Sequence, residues 1–278
     1  MSRIAILVCF FLGLTGAACS DPVLDAYNRG DFAEVFRLVE PAAEAGDAVA
    51  QHRLAHLYAS GQGVAPDVDK ALEWDRKSAE QGYSEAQYLL GVLYKNGQDV
   101  SQDLVQAADW LEKAARQGHV EAQFELARLY DDGQGVAQDF AQAADWYRKA
   151  AEQGHVLAQF ALGILYAGGK GVTRDDSQAA DWYRRAADRG LAAAQYNLGL
   201  LYVQGQGVAQ DYGQAGEWFR KAAEQGDAEA QYNLGTLYAE GRGVEQDYDQ
   251  AAEWFRKAIA QGDTDAVDAL AKLLTQKR

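Results

Sequence analysis

Residues 121–154 read EAQFELARLYDDGQGVAQDFAQAADWYRKAAEQG, and the same pattern returns when the chain is shifted by 36 residues in either direction. The Gln of Ala-Gln recurs at Gln51, Gln87, Gln123, Gln159, Gln195 and Gln231. The Tyr of Leu-Tyr recurs at Tyr58, Tyr94, Tyr130, Tyr166, Tyr202 and Tyr238. All six tryptophans of the chain, Trp74, Trp110, Trp146, Trp182, Trp218 and Trp254, fall one to a copy, and no copy gains or loses a residue. A fixed period of this length means stacked supersecondary units. The units are 47–82, 83–118, 119–154, 155–190, 191–226 and 227–262.

Each unit reads as two helices. At about 100° per residue, Ala122, Leu126, Leu129 and Tyr130 share one side of a first helix, and Glu121, Phe124, Arg128 and Asp131 share another, at spacings of 3, 4 and 3. Gly133-Gln134-Gly135 breaks the pattern, because glycine takes the left-handed turn that ends a helix at little steric cost. Asp139 then opens a second helix, with Gln142 three residues on, the spacing of a capping box. This Asp-x-x-Gln recurs at Asp103, Asp175, Asp211 and Asp247, whereas Asp67 is followed by Lys70. The second helix buries Ala143, Trp146, Tyr147, Ala150 and Ala151, and Asp145, Arg148 and Lys149 are expected to point to water as surface ion pairs. Gly154 and its copies at Gly82, Gly118, Gly190, Gly226 and Gly262 end it.

The combination A-x-A-Q-[YF]-x-L-[GA]-x-[LI]-Y, G-x-G-V-x-x-D and W-x-[RK]-[KR]-A-A-x-Q-G resembles the Sel-one-like repeat (SLR) of the tetratricopeptide superfamily, over residues 47–262. The resemblance implies an all-α fold: a right-handed α/α superhelical solenoid of six 36-residue helix-turn-helix repeats with degenerate N- and C-terminal capping units. Asp99 replaces the second loop glycine, and Ala55 and Ala127 replace the small Gly of helix one. Both changes suit the fold, because Asp tolerates left-handed geometry and Ala is still small.

Outside the repeats, residues 1–18 read as a secretory signal peptide: Arg3, the apolar run 4–14, then small residues. The run is too short to span a bilayer, which takes about 20 residues. Leu14-Thr15-Gly16-Ala17-Ala18-Cys19 resembles a bacterial lipobox, with Gly16 where Leu is usual. That resemblance makes Cys19 a lipidation site, the alternative being ordinary cleavage after Ala18. Ser20 after the cysteine favours the outer membrane on the same resemblance. Of the two cysteines, Cys9 lies within this leader, so the processed chain can close no internal disulfide. Residues 19–46 form the anchor site and a shortened N-terminal cap, with helices expected over 23–27 and 32–45. Residues 263–278 form a C-terminal capping helix whose Ala266, Leu270, Leu273 and Leu274 face back onto the last repeat.

The formal charge of −15 becomes −16 once Arg3 is removed with the leader. A chain this acidic lacks the phosphate-neutralising surface on which nucleic-acid affinity rests, and it has no basic cluster for anionic lipid headgroups. His52 and His56 stand four apart on one helix, a metal-capable spacing. His52, however, occupies the position of Tyr88 and Phe124, and no cysteine or evident third acidic ligand completes a site, so no metal is expected. The Gly-x-Gly loops join helix to helix and lack the lysine of a phosphate loop. His119 and His155 open consecutive units as turn residues. The tryptophans are core rather than a carbohydrate platform, and the repeated Gln is expected to bond neighbouring backbone. Cysteine-rich members of the resembled family have been described as β-lactamases. This chain lacks their cysteine pairs and has neither Ser-x-x-Lys nor Lys-Thr-Gly. No catalytic residue and no cofactor site are expected.

In tetratricopeptide proteins the other stripe of helix one lines a concave protein-binding groove. Carried over residue by residue, this gives a ring row of His52, Tyr88, Phe124, Phe160, Tyr196 and Tyr232, beside a variable row of His56, Val92, Arg128, Ile164, Leu200 and Thr236. The expected function is a non-enzymatic scaffold or adaptor of the bacterial envelope that binds protein segments there. The alternatives are a cell-wall or β-lactam-related hydrolase, or a soluble periplasmic regulator of a membrane sensor.

Overall fold

The computed structural model describes residues 21–276. The leader, Cys19 and Ser20 lie outside the described residues, as do Lys277 and Arg278. The described residues form helices and no strand: α1 (Pro22–Asn28), α2 (Phe32–Glu44), α3 (Ala48–Ser60), α4 (Val68–Glu80), α5 (Ser84–Asn96), α6 (Leu104–Arg116), α7 (Val120–Asp132), α8 (Phe140–Glu152), α9 (Val156–Gly168), α10 (Asp176–Asp188), α11 (Ala192–Gln204), α12 (Tyr212–Glu224), α13 (Ala228–Glu240), α14 (Tyr248–Ala260) and α15 (Thr264–Gln276). No helix among them is long and apolar enough to cross a membrane. By its contacts the chain divides into two compact units. The first runs to Leu129 and adds Gly133–Ala137, and the second comprises Tyr130–Asp132 and the chain from Gln138 onward.

The helix boundaries follow from local chemistry. Asp139 caps α8 by accepting from the amides of Ala141 and Gln142 at 2.9 and 3.0 Å. The expected capping box closes only by half. The amide of Asp139 that the Gln side chain would have bonded instead donates to the Tyr130 carbonyl at 2.9 Å, and the same strap joins Asp67 to Tyr58 and Asp175 to Tyr166. The cap residue therefore ties the two helices of a repeat together, and Gln142 is left for other use. In the connecting loop Gly135 sits at φ 72, and a Cβ there would lie 2.1 Å from the Leu104 carbonyl oxygen. Its counterpart Asp99 holds φ 60, the one positive φ outside glycine among the described residues.

Within a pair, the ring on the second helix packs flat on the small residue of the first. A Cβ on Gly163 would lie 2.6 Å from the Tyr183 ring, and one on Gly199 would lie 2.6 Å from Phe219. Glycine in mid-helix costs about 1 kcal/mol of propensity, and here that cost is offset by close helix approach. Trp146, Trp182, Trp218 and Trp254 are buried as expected, while Trp74 and Trp110 are half-buried.

The repeated glutamine joins successive pairs. Gln195 donates from Nε2 to the Ala187 carbonyl at 3.0 Å, and its Oε1 accepts from Gln225 Nε2 at 2.8 Å. Gln87 does the same with Ala79 and Gln117, and Gln231 with Ala223 and Gln261. In the fourth repeat the second partner is absent: Arg189 stands where the others carry Gln and donates to the Gly154 carbonyl instead. The buried Gln159 Oε1 is left without a hydrogen bond.

Two surface expectations change. Lys149 does not simply face water, since its ammonium lies 3.6 Å from the centroid of the Trp146 ring, and the base three residues after each tryptophan does likewise in all six repeats. Such contacts are favourable by about 0.5–1 kcal/mol at exposed sites. At the C-terminal end Ala266 and Leu273 are buried and Leu270 packs on the core, but Leu274 is 49% exposed. One residue beyond Leu273 is a turn of about 100°, which carries Leu274 off the packed side.

Candidate functional site

Each first helix of a pair presents its ring-row residue and its variable-row residue one turn apart, because positions i and i+4 share a helix face. The ring row is half-buried throughout. Its members lean on residues that sequence reasoning did not single out as their partners. Phe160 packs tilted on Tyr183 at 5.7 Å between centroids, Tyr196 on Phe219 at 5.9 Å, and Tyr232 on Phe255 at 5.9 Å. Much of the near-constant ring row is thus structural, a wall against which the second helix packs.

In the first unit the rows hold His52, Tyr88 and Phe124 beside His56, Val92 and Arg128. Tyr88 stacks on His119 at 4.5 Å. Burial, with the charges of Glu125 and Glu121, pushes its hydroxyl up to about 12. His119 caps α7 by accepting from the Ala122 amide at Nδ1, and burial holds the imidazole below its usual value. His155 caps α9 in the same way, so both histidines act as helix caps. Lys95 and Glu125 form a half-buried ion pair at 2.5 Å, and exposed Arg128 lies 3.6 Å from the same carboxylate. This stretch is charged and internally paired.

In the second unit the rows hold Phe160, Tyr196 and Tyr232 beside Ile164, Leu200 and Thr236. Helices α9 and α11 carry no charged residue. Ile164 is 44% exposed and Leu157, three residues before Phe160 on the same face, is 48% exposed. Leu157 was not anticipated, although its column reads Val49, Glu85, Glu121, Leu157, Ala193 and Glu229, in which a large exposed apolar side chain stands out. Leu200 is half-buried and packs on the cluster around Phe219 and Leu234, so it belongs as much to the core as to the face. The Tyr196 hydroxyl is pushed up to about 12, first by burial and then by the charge of Glu229. Tyr232 and Thr236 line a shallow pocket of about 360 Å³ with Glu240, Asp265, Asp268 and Lys272.

The His52–His56 pair is not bare. Asp75 of α4 is buried and its Oδ1 lies 2.6 Å from His52 Nδ1. Asp75 is 23 residues away in sequence and is delivered by the helix hairpin, which is why spacing along α3 alone did not reveal it. Its column in the other repeats reads Leu111, Tyr147, Tyr183, Phe219 and Phe255.

Tandem all-α hairpins of 36 residues, capped at both ends and joined by a glutamine strap, define a helical-repeat protein. The Sel1 repeat model matches residues 48–83, 84–119, 120–155, 156–191, 192–227 and 228–263, and the chain belongs to that family. Its members are typically protein-interaction scaffolds and generally not enzymes. A Sel1 repeat protein from Oxalobacter formigenes is 37% identical with a TM-score of 0.68, over 90% of this chain and 76% of that one. A protective antigen present in uropathogenic Escherichia coli strains, displaying an SLR fold, is 39% identical with a TM-score of 0.78 over 87% of this chain. This chain spans about half, 52%, of that antigen's length. No curated protein matches the chain.

Proposed function

We propose that this chain is a non-enzymatic adaptor of the bacterial envelope, anchored through a lipid on Cys19, that docks segments of partner proteins on the variable row of its first helices. The observation that carries the reading is the face of α9. Leu157, Phe160 and Ile164 form an apolar stripe on a helix without a charge, in a chain of net charge −15. An exposed apolar stripe on an otherwise polar surface marks a contact site. Family membership supports protein partners, and the signal-like leader with its lipobox resemblance supports the location. The Escherichia coli relative is a protective antigen, a property that accords with an envelope or secreted location.

The test replaces Leu157 and Ile164 together with Glu. Both are exposed, so the melting temperature should hold, surface changes usually altering stability by under about 0.5 kcal/mol. Binding should fall by at least tenfold, because each charge loses hydration without a partner in the contact. The readout is photocrosslinking from position 160 in intact cells, followed by affinity measurement with each crosslinked protein. If the double variant melts normally and keeps every partner at wild-type affinity, α9 is not the docking surface.

A further inference from the structure

Five repeats place an apolar side chain where the first repeat places Asp75, and the ring-row residue opposite it is aromatic in all five. In the first repeat the pair is His52 and Asp75: an imidazole on a carboxylate, at 2.6 Å, with the carboxylate side chain only 7% exposed. Ser78 replaces the usual alanine one turn on, and its hydroxyl is spent on the Ala48 carbonyl at 2.6 Å. Stability does not explain the exchange. A buried ion pair is often no better than the apolar pair it replaces, because desolvation consumes the Coulombic gain.

The arrangement has a chemical consequence. With Asp75 ionised and the ring neutral, the carboxylate accepts from Nδ1 of His52 and the lone pair is left on Nε2. His52 is 25% exposed on its side chain, whereas Asp75 is shut away behind it. His56 follows one turn later on the same face of α3. A histidine that donates its spare N–H to a carboxylate is the usual state of a metal-ligating histidine. Two histidines at i and i+4 on a helix are the pair that zinc-binding helices use.

We propose that His52 and His56 bind a late first-row divalent cation, of the zinc, nickel or copper class that imidazole prefers, with Asp75 as the positioning residue that orients His52. No group of three metal-ligating side chains exists among the described residues. The site is therefore open: two nitrogens from the protein, with the remaining positions held by water or by a group from a bound partner. The inference does not depend on the docking role of α9.

The experiment titrates the tag-free processed chain with zinc by calorimetry, and with Cu²⁺ by electron paramagnetic resonance. One ion per chain with nitrogen hyperfine coupling is expected. His56→Val installs the residue of the next repeat, leaves the His52–Asp75 bond intact, and should abolish binding. Asp75→Asn should weaken it by about 10- to 100-fold. His119→Asn and His155→Asn should leave it unchanged. Wild-type protein that takes up no ion overturns the proposal. So does uptake that survives His56→Val in a protein with unchanged circular dichroism, which would mark adventitious binding elsewhere. If Asp75→Asn does not fold, the wild-type and His56→Val titrations decide the matter alone.

Discussion

The glutamine strap offers an internal comparison, because the chain carries both a complete and an incomplete copy within its second unit. Gln195 is 4% exposed and makes two bonds, to Ala187 and from Gln225. Gln159 is 5% exposed and makes one, to Ala151, with its Oε1 unpartnered. Gln195→Ala removes two net hydrogen bonds of about 1 kcal/mol each and one buried methylene of about 0.8 kcal/mol, so it should cost about 3 kcal/mol. Gln159→Ala removes the same methylene and one bond. It also relieves a buried, unsatisfied oxygen whose desolvation penalty is about 1–3 kcal/mol. Its cost should be at most about 1 kcal/mol. Arg189→Gln should restore the missing donor, stabilise the chain by about 1 kcal/mol, and raise the cost of Gln159→Ala toward that of Gln195→Ala. Repeat arrays depart from two-state unfolding, so the readouts are urea midpoints followed by tryptophan fluorescence and hydrogen exchange of the α9 and α11 amides. Equal costs for the two alanines, or no coupling between positions 159 and 189, would refute the reasoning.

Three further outcomes follow from the same geometry. Gly163→Ala gains about 1 kcal/mol of helix propensity but drives a methyl into the Tyr183 ring, an overpacking cost of about 1–3 kcal/mol. It should therefore lower the melting temperature, while Gly168→Ala in the last turn of α9, where the nearest atom is 3.6 Å away, should not; a rise for Gly163→Ala contradicts the packing account. The His119 imidazole is held below its usual value by burial, so the folded state binds fewer protons than the unfolded one. Its contribution is present above the ordinary histidine value near 6.5 and is lost below it, as pH falls toward and through the lower folded-state value. His119→Asn, which caps without titrating, should flatten the loss of stability between pH 7.5 and 5.5, and an unchanged slope counts against the cap. Cys19→Ser should leave the chain unacylated and released from membranes on fractionation, whereas a wild-type chain already free in the periplasm without an acyl group would end the lipoprotein reading.

The sequence made the all-α class and the helix pairs legible because the signals were repeated six times. One Gly-x-Gly or one Asp-x-x-Gln is weak; in register at every 36 residues they locate helix ends to within a residue or two. The parts that were not legible are those in which two local rules compete for one group. The capping box failed because the Asp139 amide has a stronger claimant in the Tyr130 carbonyl, a partner that only the folded hairpin supplies. Lys149 is exposed as expected, but helix-surface charge patterns carry no information about the ring three residues back that its ammonium also covers. Leu274 looked buried because apolar character was read without the angle that separates it from Leu273.

The candidate site divides along the same line, and the division bears on what the face can recognise. The ring-row positions Phe160, Tyr196 and Tyr232 are held by packing against the second helix and cannot vary to suit a partner. Along the variable row the chain changes from His56 through the Glu125-paired Arg128 to the exposed Ile164. Exposure sharpens this further. Leu200 sits in the variable row but packs on the core, and Glu there would cost stability as well as binding, so it is a poor probe of docking. Leu157 lies outside both rows and is nearly half exposed. Asp75 is the reverse case, a residue deep in the structural wall whose chemistry is not structural. Both would have emerged from the sequence had each column of the repeat been read for its exception rather than its consensus. In a protein built of near-identical units the consensus encodes the scaffold, and departures that packing does not require are where specific chemistry has room to reside.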